Sequence, residues 1–540
     1  MLNKIISTIE KAHTSVLGWM AGFTGVVFIR FFLEFMSSPS NSGYMTVDGG
    51  TLVHYGLFYL AAALGLFLVV KFFAGGSGSV MNILFFGLPI IWLPPLVDLL
   101  TSGAAGARMM YIFKVPKELL YSFLSFFGFA KGVTLGMKVE IFLILVFIGY
   151  YVWTKRKKIS ATIGSVLFSY ILIFILGSFP SIVYLVASPA GYVEAGGSGV
   201  SVYIEKIIDA SLIPENALGG SLSTKTYTGA YELGFNKFSS QILFLISLIF
   251  FLIIFWKEQK SKFLAVFKNS RPERLAFYIS LLGVGVLVAG AQATIKNFSW
   301  VDVLGVLCLV TSWILACFFA IHVNDKEDIS IDAISNPSRP LISGEMSKEE
   351  MKELGYIWFV ASLLGAYSVG YYPFFMILVF TSAYYVYSAN PYRLKRIPIL
   401  SSFLISIACL STILSGFFWI SGDKKFSAFP AILIYGVIVM MTLASNMRDI
   451  KDVDGDRAGG IMTLPVILGA RGVEITGALL GLSFLLVPIF FSNYYLYFLG
   501  LPSGFLAYRF ATRRPYQENY IFLLFFVFLV LSALLVSIVS

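Results

Sequence analysis

Apolar segments about as long as a bilayer is thick recur along almost the whole chain. A helix needs roughly 20 apolar residues to cross the hydrocarbon core of a membrane. Of the 540 residues, 58% are hydrophobic and only 13% are charged, which is more apolar surface than a water-soluble fold can bury. The sequence therefore predicts an all-α integral membrane protein with many membrane-spanning helices.

The candidate spans fall into two groups, six before residue 257 and nine after residue 274. The first group lies near residues 14–36, 53–73, 80–101, 139–153, 160–187 and 240–256. The second group lies near residues 275–294, 301–323, 354–372, 373–388, 399–420, 429–446, 473–491, 493–510 and 519–539. This spacing predicts an N-terminal multi-span module (1–256) of unknown role, a basic linker (257–274) and a C-terminal nine-helix domain (275–540). Residues 188–239, rich in Gly, Ser and Tyr, are expected to form a large water-exposed outer loop.

Loop charges predict the orientation of the C-terminal domain. Alternate loops carry 14 Lys and Arg residues, whereas the intervening loops carry 3. Since Lys and Arg gather on the cytoplasmic side of membrane proteins, we expect the 14-residue set and the linker to face the cytoplasm of a multi-pass cell-membrane protein. The net charge of +10 then has a membrane explanation, and no nucleic-acid partner is expected.

Two acidic clusters lie at the ends of predicted spans on that side. They consist of Asn324, Asp325, Asp328 and Asp332, and of Asp449, Asp452 and Asp456. Carboxylates three and four positions apart are expected on one face of a helix, where stacked like charges destabilise the helix unless a cation lies on that face. Mg²⁺ prefers oxygen ligands and commonly joins carboxylates to substrate phosphates. The two clusters are therefore predicted to hold one diphosphate between them.

The clusters and the residues that follow them resemble the two signatures of the UbiA superfamily of intramembrane prenyltransferases. The first cluster is followed by Asn336-Pro337-Ser338-Arg339-Pro340, and the second by Gly460-Ile461-Met462-Thr463-Leu464-Pro465. The resemblance covers about residues 270–540, and the nine-helix fold of the family agrees with the nine spans counted there. The N-terminal half resembles no family that we recognise.

The resemblance implies a role for twelve residues. Metal ligands would be Asn324, Asp328, Asp452 and Asp456. Catalysis would involve Asp325, Asp332, Asp449 and Lys395, the three acids as direct or indirect partners of Mg²⁺. The diphosphate would be bound by Arg271, Arg339, Tyr387, Arg393 and Lys395. Two positions depart from the family, because Arg274 and Ile321 stand where it often has Asn.

The implied function is that of an enzyme, a prenyltransferase (transferring alkyl groups other than methyl). It would move a prenyl group, with Mg²⁺, from an isoprenoid diphosphate to a lipid-soluble or amphipathic acceptor at the cytoplasmic face, among membrane lipids. A glycerol-phosphate ether lipid precursor, with geranylgeranyl as the group transferred, is slightly favoured. An aromatic acceptor in quinone or related biosynthesis is the first alternative. A membrane transporter, an alternative of another class, would account for the spans but not for two matched acidic clusters.

Overall fold

The structure is a computed structural model that describes residues 2–37, 49–76, 79–102, 110–128, 130, 132–188, 197–218, 228–291 and 298–539. Within those residues the long elements are all α-helices, and no strand occurs. This confirms the all-α prediction. Helices suit a bilayer because each one satisfies its own backbone N–H and C=O groups where water is absent.

The chain divides into two compact units. The first comprises Met1–Pro214, Thr224–Glu258 and Phe298–Leu304, and the second comprises Glu215–Ser223, Gln259–Asn297 and Gly305–Ser540. The main division thus falls after Glu258.

The first unit contains the helices up to α12, with α11 at its boundary. They are α1 (Leu2–Glu10), α2 (Val16–Ser37), α3 (Gly49–Ala74), α4 (Val80–Gly87), α5 (Leu93–Ser102), α6 (Pro116–Leu124), α7 (Leu135–Arg156), α8 (Ile159–Gly177), α9 (Phe179–Ala187), α10 (Gly197–Asp209), α11 (Ile213–Leu218) and α12 (Thr228–Glu258).

The second unit contains the remaining helices, although the first three residues of α15 group with the first unit. They are α13 (Lys260–Lys268), α14 (Pro272–Ala291), α15 (Asp302–Glu327), α16 (Ile329–Ser335), α17 (Lys348–Val369), α18 (Tyr371–Ser388), α19 (Leu400–Ile420), α20 (Ala431–Ser445), α21 (Val453–Ala458), α22 (Leu464–Leu468), α23 (Ala470–Phe490), α24 (Tyr497–Thr512) and α25 (Glu518–Val539). Short 3₁₀ turns occur at Leu88–Trp92, Leu394–Arg396, Phe426–Ala428, Asn446–Ile450 and Tyr494–Leu496.

Twelve helical segments in the described part of the chain are long and apolar enough to cross a membrane, as expected of an integral multi-pass membrane protein. They cover all six predicted N-terminal spans and six of the nine predicted C-terminal spans. The other three predicted spans coincide with α17, α18 and α24, which are helical but are not among the twelve segments. Helix α17 begins with charged residues, and α24 has only 16 residues.

The predicted outer loop is wrong as a description of residues 188–239. The described residues of this segment include α10, most of α11 and the start of α12. Val200, Ile204 and Ile208 of α10 are almost completely buried in a core with Phe179 and Phe238. The apolar residues there recur every four positions, so they form a helical stripe that the Gly- and Ser-rich composition obscures. Residues 189–196 and 219–227 lie outside the described residues.

Helix α19 is the most buried spanning helix of the second unit, with 83% of its most apolar 18-residue window buried. It packs against α14 through two glycines. A Cβ atom on Gly285 would lie 1.9 Å from the carbonyl oxygen of Ile413, and one on Gly416 would lie 2.0 Å from that of Leu282. Small residues allow helix backbones to approach this closely in membranes, so this pair forms a fixed seam of the bundle.

Candidate active site

Each acidic cluster straddles a break between two helical segments. In the first cluster α15 ends at Glu327, and Asp328 precedes the short helix α16. In the second, the 3₁₀ turn ends at Ile450, and Asp452 precedes the short helix α21. Asp328 and Asp452 share nearly the same backbone angles, with φ near −100° and ψ near 15°.

These breaks correct the prediction that each cluster lies on one continuous helix face. A break between segments lets the chain turn, so that carboxylates do not stack as they would along a straight helix. The angles of Asp328 and Asp452 belong to a sparsely populated region in which active-site residues are often found.

The two short helices bring the clusters together. A Cβ atom on Gly455 of α21 would lie 2.4 Å from the Ser335 Oγ and 3.0 Å from the Ile331 carbonyl oxygen, both on α16. The side-chain amide of Asn336 donates to Asp332 Oδ1 at 3.3 Å and to Asp452 Oδ1 at 3.2 Å. One amide therefore contacts an acid from each cluster.

Ten of the twelve predicted site residues line a single polar pocket of the second unit. They are Arg271, Asn324, Asp328, Asp332, Arg339, Tyr387, Lys395, Asp449, Asp452 and Asp456. Asp325 and Arg393 do not line it, but each bonds to a residue that does.

The acids of the first cluster are held by basic side chains. Asp325, only 2% exposed, accepts from Arg271 at 2.5 Å and from the Asn269 amide at 2.7 Å. Arg339 pairs with Asp325 at 3.1 Å and also with Asp332. Asp325 thus positions two arginines that border the pocket.

Asp328 is the partner of two basic residues from the loop after α18. Lys395 pairs with it, and Arg393 donates to its Oδ1 at 3.0 Å. Arg393 and Arg271 both have positive φ angles, a conformation that costs energy and that surrounding contacts must maintain. The loop thus directs two cations toward the first cluster.

The second cluster is different, because no ion pair within 4.0 Å involves Asp449, Asp452 or Asp456 among the described residues. Burial, together with the neighbouring Asp452, raises the pKa of Asp456 to about 7. In the first cluster, burial outweighs Arg339 and raises the pKa of Asp332 to about 6. The acids of the second cluster therefore have no direct basic partner in the described part of the chain.

The acids of the second cluster can be compared with the ligands that Mg²⁺ requires. Three carboxylates without direct basic partners, lining a pocket with further acids, supply oxygen ligands of the type that Mg²⁺ prefers. In the described residues, however, no three His, Cys, Asp or Glu side chains converge closely enough to form a complete cation site. The first-cluster candidates face other partners, since Asp328 pairs with Lys395, and the Ser388 hydroxyl donates to Asn324 Oδ1 at 3.4 Å.

The two departures from the family have structural explanations. Arg274 pairs with Glu518 at the start of α25 at 2.8 Å, and Ile321 lines the pocket. His322 is fully hydrogen-bonded inside the bundle, since its Nδ1–H faces the Phe318 carbonyl at 2.8 Å and its Nε2 accepts from the Trp358 indole at 3.3 Å.

Sequence reasoning missed a second group of pocket residues. Arg448 donates to the phenol oxygens of Tyr384 at 3.1 Å and Tyr278 at 3.4 Å. All three line the polar pocket, and Arg448 also lines an apolar cavity of about 530 Å³. The available signal was an arginine placed directly between a spanning segment and the acid Asp449.

The C-terminal part of the chain is similar to known proteins. Residues 274–533 match the UbiA prenyltransferase family. A digeranylgeranylglyceryl phosphate synthase from Thermococcus kodakarensis is 26% identical over 288 residues, which cover 51% of this chain and 98% of the relative. One from Methanothermobacter thermautotrophicus is 35% identical over 185 residues, covering 34% and 60%.

Two further relatives complete the comparison. The chloroplastic chlorophyll synthase of Arabidopsis thaliana is 30% identical over 204 residues, covering 34% of this chain and 50% of the relative. A solved UbiA homolog from Archaeoglobus fulgidus bound to GPP and Mg²⁺ aligns with a TM-score of 0.41 and 19% identity, covering 50% of this chain and 96% of that one.

Proposed function

We propose that this chain transfers a prenyl group from an isoprenoid diphosphate to a lipid acceptor, because residues 274–533 match the UbiA prenyltransferase family. The observation that carries the proposal is the Asn336 amide, which bonds to an acid of each cluster. This contact supports a shared site for one diphosphate.

In this proposal the diphosphate head lies between the second cluster and the basic residues around the first. Asp449, Asp452 and Asp456 would hold Mg²⁺, with Asn324 and Asp328 joining once Lys395 turns from Asp328 to the diphosphate. Bound Mg²⁺ would neutralise the charge that develops on the leaving diphosphate.

The basic side chains would orient the donor. Arg271 and Arg339, both fixed by Asp325, are suited to paired hydrogen bonds with phosphate oxygens, whereas Lys395 acts as a compact charge. Tyr387 borders the same pocket. Donors that are already fixed, as Arg271 and Arg339 are by Asp325, would stabilise charge as the allylic C–O bond breaks, because they need no reorganisation during the reaction.

The proposed acceptor is a glycerol-phosphate ether lipid precursor, and the proposed group is geranylgeranyl. The similar digeranylgeranylglyceryl phosphate synthases support this choice. Because the chain is also similar to a chlorophyll synthase, the experiment should include acceptors of other classes. The loop charges support a pocket that faces the cytoplasm.

The experiment uses the purified full-length protein, Mg²⁺, labelled geranylgeranyl diphosphate and a set of acceptors, with products identified by mass spectrometry. We expect D328N and D452N to lower Mg²⁺-dependent transfer by about 100-fold or more, since each removes a charge at the metal site. The matched control is D454N, because Asp454 lies in the same sequence motif, but its side chain is 84% exposed.

Full activity in both D328N and D452N would refute the proposed site. Transfer only to aromatic acceptors would refute the lipid acceptor but leave the donor chemistry in place. Absence of metal-dependent diphosphate release from the unmodified protein would refute prenyl transfer itself.

A further inference from the structure

One basic residue of the polar pocket differs from the others. Five basic residues line the pocket, namely Arg271, Arg274, Arg339, Lys395 and Arg448. The first four each form an ion pair with an aspartate or glutamate. Among the described residues, no such pair within 4.0 Å involves Arg448.

The contacts of Arg448 fix its direction without neutralising it. Its two terminal nitrogens donate to the hydroxyl oxygens of Tyr384 and Tyr278, and those two hydroxyls lie 2.5 Å apart. Tyr278 is only 3% exposed. Phenols are neutral acceptors, so these hydrogen bonds leave the guanidinium without a direct counter-ion at the end of a membrane-spanning segment. A charge in that setting favours a bound anion.

The position of Arg448 indicates what kind of anion it would bind. Among the described residues, Arg448 alone lines both the polar pocket and the apolar cavity of about 530 Å³. That cavity continues between α14, α19, α20, α23 and α25. An anionic head group with an apolar tail would fill both environments at once.

We propose that Arg448, oriented by Tyr278 and Tyr384, binds the phosphate monoester of the acceptor lipid, whose tail lies in the apolar cavity. This inference rests on the proposed function. Transfer requires the acceptor hydroxyl close to the first carbon of the donor, so the acceptor head must reach the same pocket as the diphosphate. The other four basic residues of the pocket are paired with acidic side chains. Arg448 has no such pair among the described residues, so it is the basic residue best suited to bind the acceptor phosphate.

The test compares a phosphorylated acceptor, geranylgeranylglyceryl phosphate, with its dephosphorylated counterpart. In the unmodified full-length protein we expect strong preference for the phosphorylated form. In R448Q we expect the KM for that form to rise about tenfold or more while kcat changes by less than about threefold, because a charged hydrogen-bonding partner of the substrate is lost. The preference between the two acceptors should shrink by a similar factor.

Two additional variants and one control strengthen the test. R448K should retain part of the preference, since it keeps the charge but loses the planar fork of donors. Y384F should shift KM in the same direction by less. R457Q should change nothing, because the Arg457 side chain is 60% exposed and, as far as the described chain goes, forms an ion pair with Asp454 alone. Mg²⁺-dependent binding of geranylgeranyl diphosphate, measured by calorimetry, should be unchanged in R448Q and thereby shows that the variant is folded.

Three results would overturn the inference. R448Q could keep the full preference for the phosphorylated acceptor, could lose activity on both acceptors equally, or could bind the donor much more weakly. Failure of the proposed function is distinguishable, because the unmodified protein would then transfer to neither acceptor.

Discussion

At the scale of single residues, the two acidic clusters are chemically unequal. The acids of the first cluster are paired with arginine and lysine side chains, whereas those of the second lack such partners among the described residues. An incoming cation therefore meets acids without a direct basic partner at the second cluster but must compete with Lys395 for Asp328. The difference between the two clusters follows from side-chain contacts and could not be derived from the spacing of the acids.

The raised pKa values predict how Mg²⁺ binding depends on pH. Asp456, with a pKa raised to about 7, and Asp332, with a pKa raised to about 6, are largely protonated at pH 5 and ionised at pH 8. Because the ion binds ionised carboxylates, each proton that must leave lowers the affinity about tenfold per pH unit below its pKa. Calorimetric titration with Mg²⁺ at pH 5.5, 6.5 and 7.5 should show affinity rising with pH, and a flat profile would contradict the prediction.

The raised pKa values of Asp456 and Asp332 also predict how the folding stability of the metal-free protein depends on pH, and the direction is opposite to that of the Mg²⁺ affinity. Between the pKa of an unfolded aspartate, about 3.9, and the raised folded values, the folded protein binds more protons than the unfolded one. The stability of the metal-free protein should therefore fall as pH rises through this window, and excess Mg²⁺ should restore it.

At the scale of helices, the contact between α16 and α21 sets the distance between the clusters. Gly455 allows this contact, since a side chain there would meet backbone atoms of Ile331. The i, i+4 spacing of the acids is visible in the sequence, but the dependence on this glycine is not. The dependence on Gly455 becomes visible only in the structure, where α16 and α21 lie side by side.

We expect G455A to separate the clusters by a few tenths of an ångström or more and to lower transfer about tenfold or more, because misplacement on this scale is costly in catalysis. The control is G283A in α14, where an added Cβ meets nothing within 4 Å. Steady-state kinetics and the thermal unfolding temperature should be measured together. Equal activity of the two variants would show that the α16–α21 contact does not set the geometry.

The ion pair between Arg274 and Glu518 connects α14 with α25, the first and last spanning helices of the second unit. Glu518 is buried, so removing Arg274 leaves a buried carboxylate without its ion-pair partner, which destabilises the folded protein. We expect R274A to lower the thermal unfolding temperature in detergent. The double variant R274A/E518Q should recover most of the loss, and a double variant as unstable as the single one would contradict this role.

At the scale of the whole molecule, the sequence predicts the class of fold and the spanning helices well. Long apolar segments are strong signals, and the nine C-terminal predictions all coincide with helices. The two acidic clusters were also visible in the sequence, and ten of the twelve predicted site residues line one pocket. Helix α10 was missed, since its buried stripe of Val200, Ile204 and Ile208 lies among glycines and serines.

The partners of the site residues could not be predicted from the sequence. Glu518 lies 244 positions from Arg274, and Tyr278 lies 170 positions from Arg448. Contacts of this range depend on how the helices are arranged around α19. The sequence pattern of one helix carries little information about which neighbour its polar residues meet.

The orientation in the membrane can be tested with introduced cysteines. The native cysteines Cys308, Cys317 and Cys409 are buried, so background labelling should be low. We expect E345C, in the loop after the first cluster, to resist a membrane-impermeant maleimide in intact cells, and K425C to react. Both positions are exposed, and the positive-inside rule places them on opposite sides. The reverse labelling pattern would overturn the cytoplasmic assignment.

The glycine seam between α14 and α19 has a mechanical consequence. Two helices whose backbones touch cannot be squeezed further together, because the carbonyl oxygens of Ile413 and Leu282 already lie against Gly285 and Gly416. A bulky hydrocarbon entering sideways from the bilayer must therefore spread a different pair of helices. Helix α25 has the smallest buried share of the six membrane-crossing segments described in the second unit, 22% of its most apolar 18-residue window, so it is a less confined wall than α19, although Arg274 ties its first residue to α14.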